Sequence, residues 1–124
     1  MLQPAEVVAI FQSSPEIQTF AAGEVIFNQG ELGENMYGIL EGEIEQYING
    51  QLIETLKTGD IFGVGALIQP DRLRVTKATA KTNCKLASMN QRHFLFAIQE
   101  TPTFALEVLR SYYDRLRALK VFSD

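Results

Sequence analysis

The spacing of its glycines constrains the fold of this chain more than any other feature. All nine glycines lie between positions 23 and 65, and β-branched or aromatic residues lie in most of the intervals between them. Short apolar runs separated by turn residues are typical of strands and tight turns. Many short strands at close spacing predict a barrel or jelly roll. The predicted strands cover residues 24–28, 35–41, 43–48, 52–56, 77–82 and 85–89.

The dipeptide Asn49-Gly50 is the strongest turn signal in the chain. It lies between the strand-like runs 44–48 and 52–56. Both residues tolerate the positive φ that a two-residue hairpin turn requires. We therefore predict a β-hairpin centred on these two positions.

A helical pattern returns after the strands. Asn90 is a suitable N-cap for a helix over 91–99, and Thr101-Pro102 opens a final helix that reaches about Lys120. In the final helix, apolar residues with a four-three-four-three spacing form one seam. The seam residues are Ala105, Leu109, Tyr112, Leu116 and Leu119. This seam could join two copies of the chain in a homodimer or pack on the chain's own barrel, and its two heptads leave both alternatives open.

The N-terminal end is predicted to be helical as well. Pro4 suits the first position of a short helix over 4–11, and a second turn is predicted at Ser14-Pro15. The sequence therefore predicts one domain over 1–124, mainly β with flanking α. Its parts are an N-terminal helical segment over 1–19, a jelly roll (double-stranded β-helix) over 20–89 and C-terminal helices over 90–124.

Charge and hydropathy argue against two classes of partner. The net charge is −4, with 15 acidic and 11 basic side chains, so we expect no direct binding of nucleic acid through counterion release. We expect no membrane association, because no apolar run approaches the roughly 18 residues of a span. The start of the chain lacks the basic region of a secretion signal, so we expect a cytoplasmic protein.

The residues that metal or nucleophilic catalysis needs are scarce. Metal-dependent jelly-roll enzymes require several histidines and carboxylates around one ion, whereas His93 is the only histidine. No serine, threonine or cysteine is recognisably paired with a base. We therefore expect no metal, no cofactor and no enzymatic activity.

Two segments resemble the cyclic nucleotide-binding domain family. Residues 20–44, FAAGEVIFNQGELGENMYGILEGEI, carry a glycine-acid-apolar-isoleucine-phenylalanine strand, a glycine-rich turn and an aromatic-x-isoleucine-leucine-x-glycine strand. Residues 56–63, LKTGDIFG, continue the similarity. The resemblance extends over about 20–119, and it implies an eight-stranded jelly roll with helices at its ends.

The resemblance also implies where a ligand would bind. In the family, the cyclic phosphate rests on a short helix and pairs with an arginine near the start of the next strand. The matching stretch here is 62–67, in which Gly63 and Ala66 agree with the family pattern. Amides at a helix start and a planar guanidinium both favour an anion.

Two residues of this stretch depart from the family pattern. Val64 replaces a glutamate that by resemblance accepts the ribose 2′-hydroxyl, and valine has no hydrogen-bonding group. Losing such a bond weakens binding by roughly 1.5–3 kcal/mol. Gly65 replaces a bulky apolar residue and loosens the short helix by about 1 kcal/mol relative to alanine.

Arg74 is the candidate phosphate-binding arginine, because an ungapped alignment from Phe94 backwards places it at the family's position. Arg72 is the alternative if the loop has another register. On a continuous strand Arg72, Arg74 and Thr76 would face the same side as Ala78 and Ala80. The competing interpretation is an exposed arginine beside Asp71. The candidate ligand-binding residues are Gly63, Val64, Gly65, Ala66, Arg72, Arg74, Val75 and Thr76.

Two functions follow from these observations. The first is a regulatory sensor domain that binds a cyclic nucleotide, cyclic AMP or cyclic GMP, or another small anion, with weakened affinity. The second is a ligand-free scaffold or dimerisation module that acts through its C-terminal helix. The output partner in signal transduction cannot be inferred from the fold, and any DNA-binding role would have to come from another chain.

Overall fold

The computed structural model describes residues 16–119. The predicted helix over 4–11 and the turn at Ser14-Pro15 lie outside these residues, as does the chain from position 120 onwards. The strands are β1 (Ile17–Phe20), β2 (Val25–Phe27), β3 (Asn35–Glu41), β4 (Ile44–Ile48), β5 (Gln51–Leu56), β6 (Ile61–Phe62), β7 (Lys77–Ala80) and β8 (Cys84–Asn90). They form two four-stranded antiparallel sheets with strand orders β1-β8-β3-β6 and β2-β7-β4-β5.

Three helices accompany the sheets. They are α1 (Gly65–Ile68), α2 (Gln91–Glu100) and α3 (Thr103–Ala118). The Asn90 side chain accepts a hydrogen bond of 2.9 Å from the His93 amide, which confirms the predicted N-cap of α2. The predicted class, mainly β with C-terminal helices in a jelly-roll arrangement, is thereby confirmed for the described residues. None of the helices within residues 16–119 has the length and apolar character needed to cross a membrane.

Two strands were missed by the sequence prediction. β1 begins at Ile17, inside the segment 1–19 that we had assigned to N-terminal helix, and it pairs with β8 from Ile17↔Ala87 to Phe20↔Cys84. β6 has only two residues, both fully buried against β3. Each strand is too short or too polar to show an alternation of apolar and polar residues. Each is stabilised by pairing with a long strand that is distant in sequence.

The predicted hairpin between β4 and β5 is confirmed. Asn49 has a φ of 51° and Gly50 a φ of 79°, which matches the two positive φ values of a type I′ turn. Ile48 pairs with Gln51 on either side of the turn. Gln29 fixes the turn from outside, because its Oε1 accepts from the Asn49 amide at 2.9 Å.

The buried apolar residues form two clusters. The inter-sheet core lies between the two sheets and contains Phe27, Tyr37, Ile39, Ile44, Leu56, Phe62, Ala78, Ala80, Cys84 and Leu86. The helix-side core lies where α1, α2 and α3 pack on the first sheet. It contains Met36, Ile61, Val64, Leu67, Ala87, Met89, Phe94, Ala97, Phe104 and Val108.

The predicted seam on the final helix lies partly against the barrel and partly in solvent. Phe104 and Val108 are buried in the helix-side core, and Tyr112 packs against it, whereas Leu109 is 65% exposed. The seam residues share one side of α3, but that side lies at the edge of the contact with the barrel, and homodimerisation through it stays a prediction. An outward stripe with three-four-three spacing consists of Leu106, Leu109, Tyr113 and Leu116, the last of which also borders the cavity.

Candidate functional site

A cavity of about 230 Å³ lies between α1, the loop that leads into β7, the strands β4 and β5, and α3. Elements from opposite ends of the chain therefore form its wall. The lining residues include Phe27, Gln46, Glu54, Gly63, Gly65, Ala66, Arg74, Val75, Thr76, Tyr112, Arg115, Leu116 and Leu119.

Arg74 lines this cavity and is 6% exposed. The Cζ atom of its guanidinium lies 4.1 Å from the centroid of the Phe27 ring, a distance at which a cation is attracted to the ring face. Its Nη1 donates to the Gly63 carbonyl at 2.8 Å, and its Nη2 donates to the Asn35 carbonyl at 2.6 Å. The buried Nε has no hydrogen-bond partner among the described residues. Arg74 is therefore not the exposed neighbour of Asp71 that the competing interpretation required.

The glycine-rich turn before β3 holds Arg74 in this position. The Arg74 amide donates to the Glu31 carbonyl at 2.8 Å, and the Gly30 amide donates to the Arg74 carbonyl at 2.8 Å. Gly33 and Gly63 leave space for the guanidinium, since a Cβ at Gly33 would collide with Nε and one at Gly63 would lie 2.9 Å from Nη1. Burial lowers the pKa of the Arg74 guanidinium, an effect that Tyr37, Tyr112 and Glu31 oppose. The group remains charged, because arginine is not deprotonated in proteins.

The one-turn helix α1 lies beside Arg74. Its first hydrogen bond runs from the Leu67 amide to the Val64 carbonyl at 2.9 Å. The amides of Gly65 and Ala66 precede that bond, and both residues line the cavity. Amides at this position of a helix have no intrahelical acceptor and are suited to an anion.

Val64 and Gly65 lie on different sides of the α1 turn. The Val64 side chain is 6% exposed and packs in the helix-side core, while its amide donates to the Tyr112 hydroxyl at 3.3 Å. Gly65 lines the cavity, and nothing lies within 4 Å of a Cβ added there. Successive helical residues point about 100° apart, so a side chain at position 65, and not at 64, would enter the cavity.

The loop before β7 divides the remaining candidate residues. Arg74, Val75 and Thr76 line the cavity. Arg72 is exposed and has a φ of 56°. The assumption of a continuous strand from Arg72 was wrong, because the backbone turns at this residue and β7 begins only at Lys77. The structure thus brings together six of the eight candidate residues and leaves out Arg72 and the Val64 side chain.

A chain of hydrogen bonds contributes a second group of polar residues to the cavity wall. The Thr76 hydroxyl donates to Gln46 Oε1 at 2.6 Å, and Gln46 Nε2 donates to Glu54 Oε2 at 2.9 Å. Arg115 of α3 donates to the same carboxylate from Nε at 3.0 Å and from Nη2 at 3.1 Å. The Arg115 guanidinium also lies 4.2 Å from the centroid of the Tyr112 ring. The network therefore connects the barrel to the final helix.

The ionisable groups of this network have shifted pKa values. Burial opposes the charge on Arg115, but the hydrogen bond to Glu54 and the neighbouring Tyr112 outweigh it and raise its pKa. Burial raises the pKa of the Tyr112 phenol, with Arg115 and the Val64 amide acting in the opposite direction. Both groups are therefore held in their usual protonation states.

Sequence reasoning missed Gln46, Glu54, Tyr112 and Arg115. One local signal was available, since Gln46 occupies an inward position of β4 between Ile44 and Ile48 and is 4% exposed. A polar residue on an inward strand position needs a partner. The identity of that partner could not be read from the sequence.

The cavity thus has two chemically different sets of polar groups. Arg74 and the α1 amides provide positive character, whereas the Gln46–Glu54–Arg115 network provides directional hydrogen bonds. Phe27, Leu116 and Leu119 supply apolar surface. Within residues 16–119, no group of three or more histidine, cysteine, aspartate or glutamate side chains could hold a metal ion. The geometry is suited to a small molecule with an anionic group and a separate polar group.

Comparisons with known proteins agree on one family. The sequence profile described as "Cyclic nucleotide-binding domain" matches residues 17–101. The cAMP-dependent protein kinase regulatory subunit of Schizosaccharomyces pombe is 38% identical over 76 residues, which are 60% of this chain and 18% of that protein. The chain therefore spans less than a fifth of this curated relative.

Solved structures share the fold. Catabolite activator protein of Thermus thermophilus superposes with a TM-score of 0.76 and 22% identity, over 95% of this chain and 56% of that one. A structure described by the words "A cyclic-GMP-dependent signalling pathway regulates bacterial phytopathogenesis" superposes with a TM-score of 0.75 and 25% identity, over 94% of this chain and 96% of that one.

Proposed function

Because the chain belongs to the cyclic nucleotide-binding domain family, we propose that it is a regulatory sensor domain and that a cyclic nucleotide binds in the cavity between α1 and α3. In this proposal Arg74 and the amides of Gly65 and Ala66 bind the cyclic phosphate. Gly63, Val75 and Thr76 line the same cavity.

The buried guanidinium of Arg74 is the observation that carries the proposal. Both Nη atoms already donate to carbonyls, but Nε is buried without a partner. A buried unsatisfied donor is costly, and the permanent charge of Arg74 at the cavity wall is suited to a phosphate group. A guanidinium in this position next to a cavity favours an anionic ligand over a neutral one.

Binding is proposed to be weaker than a complete ribose contact would allow. The Val64 side chain is in the helix-side core, and Gly65 offers no side chain to the cavity. No carboxylate therefore extends from α1 to accept a ribose hydroxyl. The missing charged hydrogen bond corresponds to an affinity lower by about 10- to 150-fold.

Calorimetric titration with cyclic AMP and cyclic GMP tests the sensor function. We expect saturable heat from the wild-type protein and a loss of about 10- to 150-fold in affinity for Arg74→Ala. Arg74→Lys keeps the positive charge, so its affinity for the nucleotide should fall less than that of Arg74→Ala. Arg72→Asn is the matched control, because Arg72 is exposed outside the cavity and asparagine tolerates its positive φ.

Circular dichroism shows whether each variant is folded. The absence of both heat and a thermal shift at millimolar concentrations of either nucleotide would exclude the sensor function.

A ligand-free dimerisation module is the second candidate, and the outward stripe of α3 favours it. Leu106 and Leu109 are 63% and 65% exposed, and the stripe repeats at three-four-three spacing, which matches the contact seam of two paired helices. Sedimentation velocity over a range of concentrations tests it. Leu109→Glu should shift the protein towards monomer, while Leu95→Glu on α2 should not. A wild-type monomer at every concentration would remove this candidate.

Two further expectations stay predictions. A binding role without catalysis agrees with the regulatory subunit named among the relatives. The cytoplasmic location and the absence of direct nucleic-acid binding rest on the sequence and net charge alone.

A further inference from the structure

The Glu54 carboxylate is part of the polar lining of the cavity. Its side chain is 15% exposed, and both oxygens are engaged. Oε1 accepts from Arg115 Nε, and Oε2 accepts from Arg115 Nη2 and from Gln46 Nε2. One edge of the carboxylate therefore accepts from two parallel N–H donors, and Arg115 of α3 supplies both.

The orientation of this carboxylate is fixed from the barrel side. The Thr76 hydroxyl donates to Gln46 Oε1 at 2.6 Å, which directs Gln46 Nε2 towards Glu54. Gln46 is 4% exposed. The barrel would hold the Glu54 edge in place even if Arg115 moved away, so the edge is available to another pair of donors.

Arg115 occupies the edge of the Glu54 carboxylate, so a ligand that uses this edge has to displace it. With the ion pair formed, the cavity measures about 230 Å³, below the roughly 300–1,000 Å³ of most small-molecule sites. Arg115 has other partners near this position, because it donates to the Ile61 carbonyl at 2.5 Å and lies over the Tyr112 ring. Release of Glu54 would therefore leave the guanidinium with contacts on the same wall.

Among nucleobases, guanine offers the donor pair that Arg115 offers. Its Watson–Crick edge carries a ring N–H next to an amino group, so two parallel N–H bonds can reach the two oxygens of one carboxylate, as in an arginine–carboxylate pair. Adenine presents an amino donor beside a ring acceptor, and that acceptor would face a carboxylate oxygen with no proton between them.

We propose that Glu54 is the specificity-determining residue of the cavity. It selects guanine, because the Glu54 carboxylate accepts hydrogen bonds from the base that replace those from Arg115. This inference rests on the proposed function, since it assumes that Arg74 holds the phosphate of the same molecule. The ligand is then a guanine cyclic nucleotide. When it binds, the ion pair between Glu54 and Arg115 opens, and the guanine base donates its hydrogen bonds to the Glu54 carboxylate instead.

Titrations of the wild-type chain with cyclic GMP, cyclic IMP and cyclic AMP test the inference without any substitution. Hypoxanthine keeps the ring N–H of guanine but lacks the amino group. We expect cyclic GMP to bind most tightly, cyclic IMP next and cyclic AMP least. A bidentate base contact corresponds to a difference of about 5- to 150-fold between the first and the last.

Variants then assign the preference to Glu54. Glu54→Gln should lower the affinity for cyclic GMP and raise that for cyclic AMP, because an amide offers one acceptor and one donor. Arg115→Gln should raise the affinity for cyclic GMP relative to that for cyclic AMP, since no ion pair has to open. Glu45→Gln on the neighbouring strand, outside the cavity, is the matched control.

The outcomes separate the two proposals. Equal affinities for the three nucleotides, or a Glu54→Gln variant that changes all three by the same factor, would overturn the guanine assignment and leave the sensor function intact. Failure of all three to bind would exclude both. If Glu54→Gln does not fold, the ranking of the three nucleotides on the wild-type chain decides.

Discussion

A charged side chain that is 6% exposed, as Arg74 is, needs compensation within the fold. The Phe27 ring and two backbone carbonyls provide it, and the absence of a side chain at Gly33 and Gly63 leaves room for the guanidinium. Nε alone remains unpaired. At the scale of single residues, the proposed phosphate site therefore depends on small residues near the guanidinium as much as on the arginine itself.

Substitutions at two adjacent positions should have opposite effects. Gly65→Glu places a carboxylate in open cavity space, so we expect affinity for a cyclic nucleotide to increase, by up to about 10- to 150-fold if the ribose hydroxyl is reached. Val64→Glu places a carboxylate in the helix-side core and should destabilise the fold by several kcal/mol. Calorimetry measures the first effect and urea unfolding the second.

Gly65→Ala controls for the change in helix propensity, which should add about 1 kcal/mol of stability or less. Tighter binding by Val64→Glu than by Gly65→Glu would contradict the assigned orientation of α1.

At the scale of elements, the ion pair between Glu54 and Arg115 is the main polar contact between β5 and α3. The two side chains are 15% and 14% exposed, and breaking a buried pair by removing one partner is usually more costly than the pair's own contribution to stability. The apolar contacts of Phe104 and Val108 hold the first half of α3. The second half depends more on Tyr112 and Arg115.

Removing the Arg115 charge should therefore loosen the second half of α3. We expect Arg115→Met to cost about 3 kcal/mol, because Glu54 is left buried without its partner. Hydrogen–deuterium exchange should become faster at positions 111–118 and change little around Phe104. Arg117→Met is the control, since Arg117 is exposed and lies over Tyr113 at 5.9 Å. Unchanged exchange in Arg115→Met would show that apolar contacts alone hold the helix.

At the scale of the whole molecule, two buried phenols make stability depend on pH. Burial raises the pKa of both Tyr37 and Tyr112 above the usual 10.0. Each folded pKa is thus higher than the unfolded one, so the stabilising contribution is complete below pH about 10 and is lost as pH rises through the folded pKa.

The free energy of unfolding should consequently fall as the pH rises beyond about 10. For the Tyr112→Phe variant, the free energy of unfolding should fall less steeply with pH than for the wild-type protein, because one of the two phenols is absent. Urea unfolding at intervals from pH 8 to 11 measures both slopes. Identical slopes would show that Tyr112 does not contribute to the alkaline loss of stability.

The sequence by itself determined the architecture of the domain. The turn at Asn49-Gly50 and the cap at Asn90 were predictable because a turn and a helix start depend on residues within a few positions of one another. The glycine-rich pattern of residues 20–44 and the period of the strands likewise indicated the jelly roll. These features are local, and local patterns are readable from one sequence.

Only the tertiary structure decided which side chains face the cavity. The one-turn helix α1 is too short for its orientation to follow from a period, so Val64 and Gly65 could not be assigned to core and cavity beforehand. Glu54 and Arg115 meet although they are 61 positions apart. Ile17–Phe20 becomes a strand only because β8 lies beside it. Each of these contacts depends on the packing of distant segments, and no local pattern encodes that packing.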